Sequence, residues 1–222
     1  MSARLLVLMS GRGTNFKALQ QAIESSRLDA NIDAVIADRA AAGLGLARDC
    51  GIDTVLIDRR RHPDRASFEA SLATAMAGYA PDWIVLAGFM RVLSAGFVER
   101  FLGRMINIHP SLLPKYRGLD THARALAAGD AEHGASVHFV TPELDGGPVI
   151  SQARLAIESD DKPDRLAERL LPLEHRLLTA TMALLTTTRV SLHHEQILLD
   201  NQPLAEPLLL GRDLDGLGSG RD

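Results

Sequence analysis

The sequence predicts an α/β fold: a doubly wound, mostly parallel sheet with helices on both faces and a Rossmann-type N-terminal half. Three observations predict it. Short unbroken apolar runs such as Leu5–Leu8 suit strands buried on both faces. Segments with apolar residues at helical spacing alternate with those runs, the pattern of a parallel sheet with crossover helices. A glycine-rich turn, Gly11-Arg12-Gly13, joins the first strand to the first helix.

Leu5–Leu8 is the first strand, and Phe16, Leu19 and Ile23 place a helix after the turn. Ile32–Ala37 reads as a strand, Ala41–Cys50 as a helix closed by Gly51, and Thr54–Ile57 as a strand. Pro63 suits a first helical turn, and Phe68, Leu72, Met76 and Tyr79 share one face of the helix it opens. Trp83–Ala87 and Arg104–Ile108 are the next strands. Ser136–Thr141 and Val149–Ile157 follow, joined by the turn Asp145-Gly146-Gly147-Pro148. Asp161 and Pro163 begin a long helix with Leu166, Leu170, Leu173 and Leu177 inward. Residues 1–189 are expected to form one domain, its first hundred residues binding a phosphorylated ligand and the remainder carrying the chemistry. Val190–Leu192 and Ile197–Leu199 suggest a peripheral hairpin, and the stretch from Gly211 a loose tail.

The 222 residues are 46% apolar and 23% charged, so the chain can build a full core without staples. A net charge of −4 with no long basic run argues against a sequence-independent grip on nucleic acid. Arg59, Arg60 and Arg61 read as a solvated loop. Cys50 is the single cysteine, which leaves no disulfide framework and no thiolate zinc site. The first apolar run, Leu5 to Met9, is too short for a signal peptide core or a membrane span, so a cytoplasmic location is expected.

The loop ending at Thr14 and Asn15 opens a helix, where unpaired N–H groups and the helix dipole attract phosphate. A dinucleotide site is the rival reading, and Asp38 at the end of the second strand favours it. Phe16 stands where such a site wants its third glycine, which favours the phosphate-bearing ligand over a dinucleotide, with a bare structural turn as the other alternative. The most informative segment is Asn107-Ile108-His109-Pro110-Ser111-Leu112-Leu113-Pro114. Asn107 and His109 are two residues apart at a strand end, hence on one face, and form a plausible pair of donors to a developing oxyanion. Asp145, on a tight Gly-Gly turn, can reach back to orient the imidazole and favour its charged form. No serine or cysteine nucleophile sits in a recognised elbow, which suggests direct transfer through a tetrahedral intermediate. His133 and His138, and the adjacent His193 and His194, lack companion ligands at metal spacing, so no metal is expected.

The stretches Ala87 to Leu93, Asn107 to Tyr116, Val137 to Val140 and Glu143 to Ile150 resemble the phosphoribosylglycinamide formyltransferase family, over residues 4 to about 190. The resemblance implies a formyltransferase-like fold and transfer of a formyl group from 10-formyltetrahydrofolate, as cosubstrate, to a phosphoribosylated amine in purine synthesis. It implies that Gly13, Thr14 and Asn15 hold the phosphoribosyl group and that Glu174 touches the same substrate. Met90, Arg91, Val92 and Leu93 would line the folate pocket together with Asn107, and Arg65 would meet the folate tail. Asn107, His109 and Asp145 would be the catalytic residues, with Asp145 keeping His109 charged. The implied partners are small molecules, with neither nucleic acid nor membrane, and the chain is expected as monomer or homodimer.

Two departures from the family pattern stand out. Leu171 and Pro172 replace polar, helix-compatible residues, which removes a polar substrate contact and predicts a kink. Asp120 stands where some relatives carry histidine, leaving His122 as the candidate imidazole there. Three alternatives remain. An initiator-tRNA formyltransferase would be expected to add a nucleic-acid domain and a basic surface. A formyltetrahydrofolate hydrolase would share the catalytic trio but carry an N-terminal regulatory segment, whereas here the first strand starts at about residue 4. A nucleotide-binding regulatory domain would tolerate any residue at 107, 109 and 145.

Overall fold

A computed structural model describes residues 2–187 and 189–214. The chain runs β1 (Ala3–Met9), α1 (Thr14–Glu24), β2 (Ala30–Ala37), α2 (Ala42–Asp49), β3 (Asp53–Leu56), α3 (Arg65–Ala77) and β4 (Trp83–Leu86). It continues through α4 (Ala95–Glu99), β5 (Met105–His109), α5 (Thr121–Ala127), β6 (Glu132–Phe139), β7 (Val149–Ala156) and α6 (Pro163–Leu185). Four short strands follow: β8 (Val190–His193), β9 (Gln196–Leu199), β10 (Gln202–Pro203) and β11 (Leu208–Leu209). An eight-stranded sheet has the order β11-β7-β6-β5-β4-β1-β2-β3, and β10-β9-β8 form a separate small sheet. In the large sheet β6 alone opposes its neighbours, pairing antiparallel with both β5 and β7.

The alternation within β1 explains the two-sided winding. Leu5, Val7 and Met9 enter one core with Phe16 and Leu19 of α1, Leu44 of α2 and Leu170 and Leu177 of α6. Leu6 and Leu8 point the other way, into a second core with Phe68, Leu72 and Met76 of α3 and Phe97 of α4. Each such large side chain, fully buried, contributes about 1.5–3 kcal/mol relative to leaving it in water. The mostly parallel sheet with helices on both faces is therefore as the alternating runs predict.

The structure departs from the sequence reading at several elements. Residues 95–99 and 121–127, which carry no long apolar periodicity, form the short helices α4 and α5. Ser94 starts α4 by accepting a bond from the Phe97 N–H. The strand expected from Ser136 begins at Glu132, because β7 pairs along it as far back as Glu132↔Ala156. Arg59–Arg61 form a 3-10 turn rather than an open loop, held by Asp58, which accepts from the Arg60 backbone N–H at 3.0 Å. The hairpin is present as β8 and β9. Beyond it, β11 adds to the large sheet beside β7, and Leu214 is buried in the main core, so the stretch from Gly211 is anchored at its start. The remainder of the expected tail, 215–222, lies outside the described residues. Helix α6 runs from Pro163 through Pro172 to Leu185 as one helix.

Candidate active site

β5 ends at His109, and its alternation divides the strand cleanly. Ile106 and Ile108 enter the core beneath α1 and α6, so Asn107 and His109 project from the opposite face. The antiparallel register sets His138 of β6 directly across from Asn107, and hence on that same face. The Asn107 Nδ2 donates to His138 Nε2 at 3.1 Å, while His138 Nδ1 donates to the Phe139 carbonyl at 2.8 Å. The Phe139 carbonyl can only accept, so His138 carries a proton on Nδ1. The second Asn107 proton faces Asp145 Oδ1 at 3.5 Å, long enough to be redirected.

Asp145 reaches this face because the turn after β6 folds back over the sheet. Its backbone takes φ 46°, in the left-handed region that aspartate tolerates better than most residues. Gly147 makes the turn possible: a Cβ there would stand 1.9 Å from the Phe139 carbonyl oxygen. Asp145 Oδ2 accepts the Gly118 N–H at 2.9 Å and lies 3.5 Å from His109 Nδ1, and Oδ1 lies 3.7 Å from His138 Nε2. Asn107, His109 and Asp145, drawn from two distant stretches, thus meet at one point.

The electrostatics of His109 balance burial against its acceptors. Both nitrogens of His109 face acceptors, Asp145 on one side and the Tyr116 carbonyl at 3.0 Å on the other. Burial nevertheless dominates: it pushes the imidazole pKa down, helped by His138 and Arg124, and outweighs Tyr116 and Asp145. Burial thus opposes the charge that Asp145 favours on His109. Asp145 itself is a firm anion. Burial raises its pKa, but His138, the Gly118 N–H and His109 together hold it below the usual range.

Two cavities meet at this point. One, of about 580 Å³, is lined by Gly13, Thr14, Asn15, Leu171 and Glu174. The helix α1 that opens there has no side-chain cap, so its first N–H groups remain for a ligand. Gly13 has φ 77°, and a Cβ on it would stand 2.8 Å from the Gly43 Cα, so glycine is required twice over. Phe16 is wholly buried in the core, not at a dinucleotide crossing. Desolvation raises the Glu174 pKa to about 7, with Asn15 pulling the other way. Among the described residues, nothing bonds the buried Asn15 Oδ1.

The second cavity, of about 590 Å³, is lined by Met90, Arg91, Val92, Asn107, His109 and Asp145. A smaller recess continues from it to Leu93, Val140 and Leu144. Met90 and Val92 are each 58% exposed, which presents apolar surface to the cavity. Gly88, Met90, Pro110 and His122 belong to the walls of both cavities, so the two adjoin beside the catalytic trio.

Arg65, by contrast, is 3.9 Å from Glu69 at the start of α3 and is not among the residues lining these cavities. Asp120 does line the second one, at the start of α5 with φ 58°. His122 is also held by His133, whose Nε2 is 3.0 Å from its Nδ1. His138, which its sequence context marks only as a histidine without companion metal ligands, also stands beside Asn107 and Asp145. Its signal lay in strand pairing: once β6 is taken as antiparallel to β5, the residue opposite Asn107 joins the site.

Residues 3–182 match the formyl transferase family model. The chain is 43% identical to the phosphoribosylglycinamide formyltransferase of Escherichia coli strain K12, covering 90% of this chain and 95% of that protein. It is 37% identical to the Haemophilus influenzae enzyme of the same name, covering 90% and 95%. The solved phosphoribosylglycinamide formyltransferase of Coxiella burnetii superposes with a TM-score of 0.90 at 46% identity, covering 95% of this chain and 100% of that one.

Proposed function

The chain belongs to the formyl transferase family, and from that premise we infer that it is a phosphoribosylglycinamide formyltransferase whose chemistry rests on Asn107, His109 and Asp145. The enzyme moves the formyl group of 10-formyltetrahydrofolate to the amine of phosphoribosylglycinamide, in purine biosynthesis. The observation that carries the residue assignment is the meeting of the trio beside the common wall of two cavities.

The phosphorylated amine takes the cavity at the start of α1, with Gly13, Thr14 and Asn15 at its phosphoribosyl end and Glu174 beside it. The folate takes the cavity along Met90 to Leu93. Among the described residues, no hydrogen bond engages the backbone of Val92 or Leu93, and an extended strip with free N–H and C=O groups fits the donor–acceptor edge of a flat heterocycle. The amine attacks the formyl carbon. As charge gathers on the formyl oxygen, Asn107 turns its weakly held second proton toward it. In its protonated form, which that growing negative charge favours, His109 donates to the same oxygen. Asp145, 3.5 Å away, supplies the counter-charge. The proton shed by the amine is then available to the departing folate nitrogen, so the transfer is proton-balanced. We place the chemistry within residues 1–189 and expect a cytoplasmic monomer or homodimer working without metal. No helix among the described residues is long and apolar enough to cross a membrane.

The test mixes the protein with a 10-formyl folate and glycinamide ribonucleotide and follows loss of the formyl group. His109→Ala and Asp145→Asn should each lower turnover by about 10² or more, with unchanged circular dichroism. Near-parental turnover in either variant removes its assignment. Formate released without an amine acceptor would indicate a hydrolase instead.

A further inference from the structure

Asp38 and Glu69 are buried carboxylates with no place in the chemistry above, and both hold the same loop. Asp38 stands just beyond β2, with its side chain wholly shielded from solvent. The Arg91 Nε donates to its Oδ2, and Arg39 donates to both of its oxygens at 3.3 Å. Ser10 adds an indirect link: its hydroxyl oxygen accepts the Met90 N–H at 2.8 Å and its proton serves Asp38. Burial opposes the charge on Asp38, but Ser10, Arg39 and Arg91 outweigh it and keep the group ionised. Glu69, on α3, is 7% exposed and accepts both the Ser94 N–H, at 2.6 Å, and the Ser94 hydroxyl.

Met90 and Arg91 lie in the middle of the irregular stretch between β4 and α4, and Ser94 at its end. Phe89 and Leu93 are buried beneath it, while Met90 and Val92 face outward. Side-chain burial alone fixes which way this strip faces, but not where its backbone groups stand along the cavity. Ion pairs and charged hydrogen bonds, being directional, fix the second. In a dinucleotide fold a carboxylate at the end of the second strand would hold a ribose. Here two guanidinium groups and a hydroxyl occupy it, so it faces inward, toward the loop.

We propose that Asp38 and Glu69 are positioning residues for the formyl donor: Asp38 secures loop 88–94 at Met90 and Arg91, Glu69 secures it at Ser94, and together they set the backbone strip that receives the folate. The proposal rests on the reading of that strip as the folate site. The two carboxylates touch neither substrate, so their loss should weaken donor binding while leaving the trio intact.

Asp38→Asn and Glu69→Gln in the full chain test this by steady-state kinetics with each substrate varied. The expected result is a rise of about tenfold or more in KM for the formyl donor, with kcat within about threefold and KM for the phosphorylated amine unchanged. Arg91→Gln should raise the donor KM likewise, and Asp38→Asn combined with it should be no worse than either alone, since both break one linkage. If Asp38→Asn does not fold, Ser10→Ala removes the hydroxyl link alone and should raise the donor KM in the same direction. An unchanged donor KM in the folded variants overturns the proposal. So does a parallel loss in kcat and both KM values. Calorimetry on the parent protein separates the two levels: if the parent binds no formyl folate, the folate reading falls and this role with it. Normal parent binding with unaffected variants removes only the positioning role.

Discussion

Glu174 carries a carboxyl group that water rarely allows to stay protonated at neutral pH. Desolvation raises its pKa from 4.5 to about 7 on the wall of the cavity at the start of α1. Between those values the folded chain holds a proton that the unfolded chain has released. The stabilisation is therefore complete below pH 4.5 and is lost as pH rises through 7. Glu174→Gln mimics the protonated form. Its stability relative to the parent, read from urea midpoints, should increase between pH 5 and pH 8.5, and the pH dependence of KM for the amine substrate near 7 should flatten. A constant stability difference across that range would show that Glu174 ionises normally. His109 makes a related point about legibility. Its place beside Asn107 follows from a two-residue spacing, but the downward pull on its pKa follows from burial, which no spacing reveals. The same holds for His138, whose membership in the site depends on the partner strand.

Among the elements, α6 carries the clearest local conflict. Pro172 is exposed inside a helix of 23 residues, where proline removes a backbone bond and costs about 3 kcal/mol relative to alanine. Leu171 beside it lines the cavity at the start of α1. Pro172→Ala should raise stability by roughly 1–3 kcal/mol, seen as a gain of several degrees in the thermal midpoint. A lower midpoint would mean that the helix depends on the local geometry proline imposes. The strands and long helices were readable because their apolar residues follow one period over many positions. The short α4 and α5 were not, since five and seven residues give too few turns for a pattern to emerge. β11 is two residues long and is a strand only because β7 offers an edge to pair with.

At the scale of the molecule, the doubly wound sheet was legible because both-face burial writes continuous apolar runs into the sequence, as in Leu5 to Met9. The reversed direction of β6 was not, because strand polarity leaves no mark on composition. That reversal decides the site, since it sets His138 opposite Asn107. Gly88, Met90, Pro110 and His122 present one side to each cavity. A barrier with two faces cannot respond to one occupant without altering what the other meets. The two substrates should therefore bind with a measurable coupling energy, and thermodynamic linkage makes it mutual. Titrating glycinamide ribonucleotide with and without a non-transferable folate, then the folate with and without the ribonucleotide, should give one and the same factor. A factor of one in both directions would describe two independent sites that happen to be neighbours; any other value describes a single four-residue partition through which each ligand senses the other.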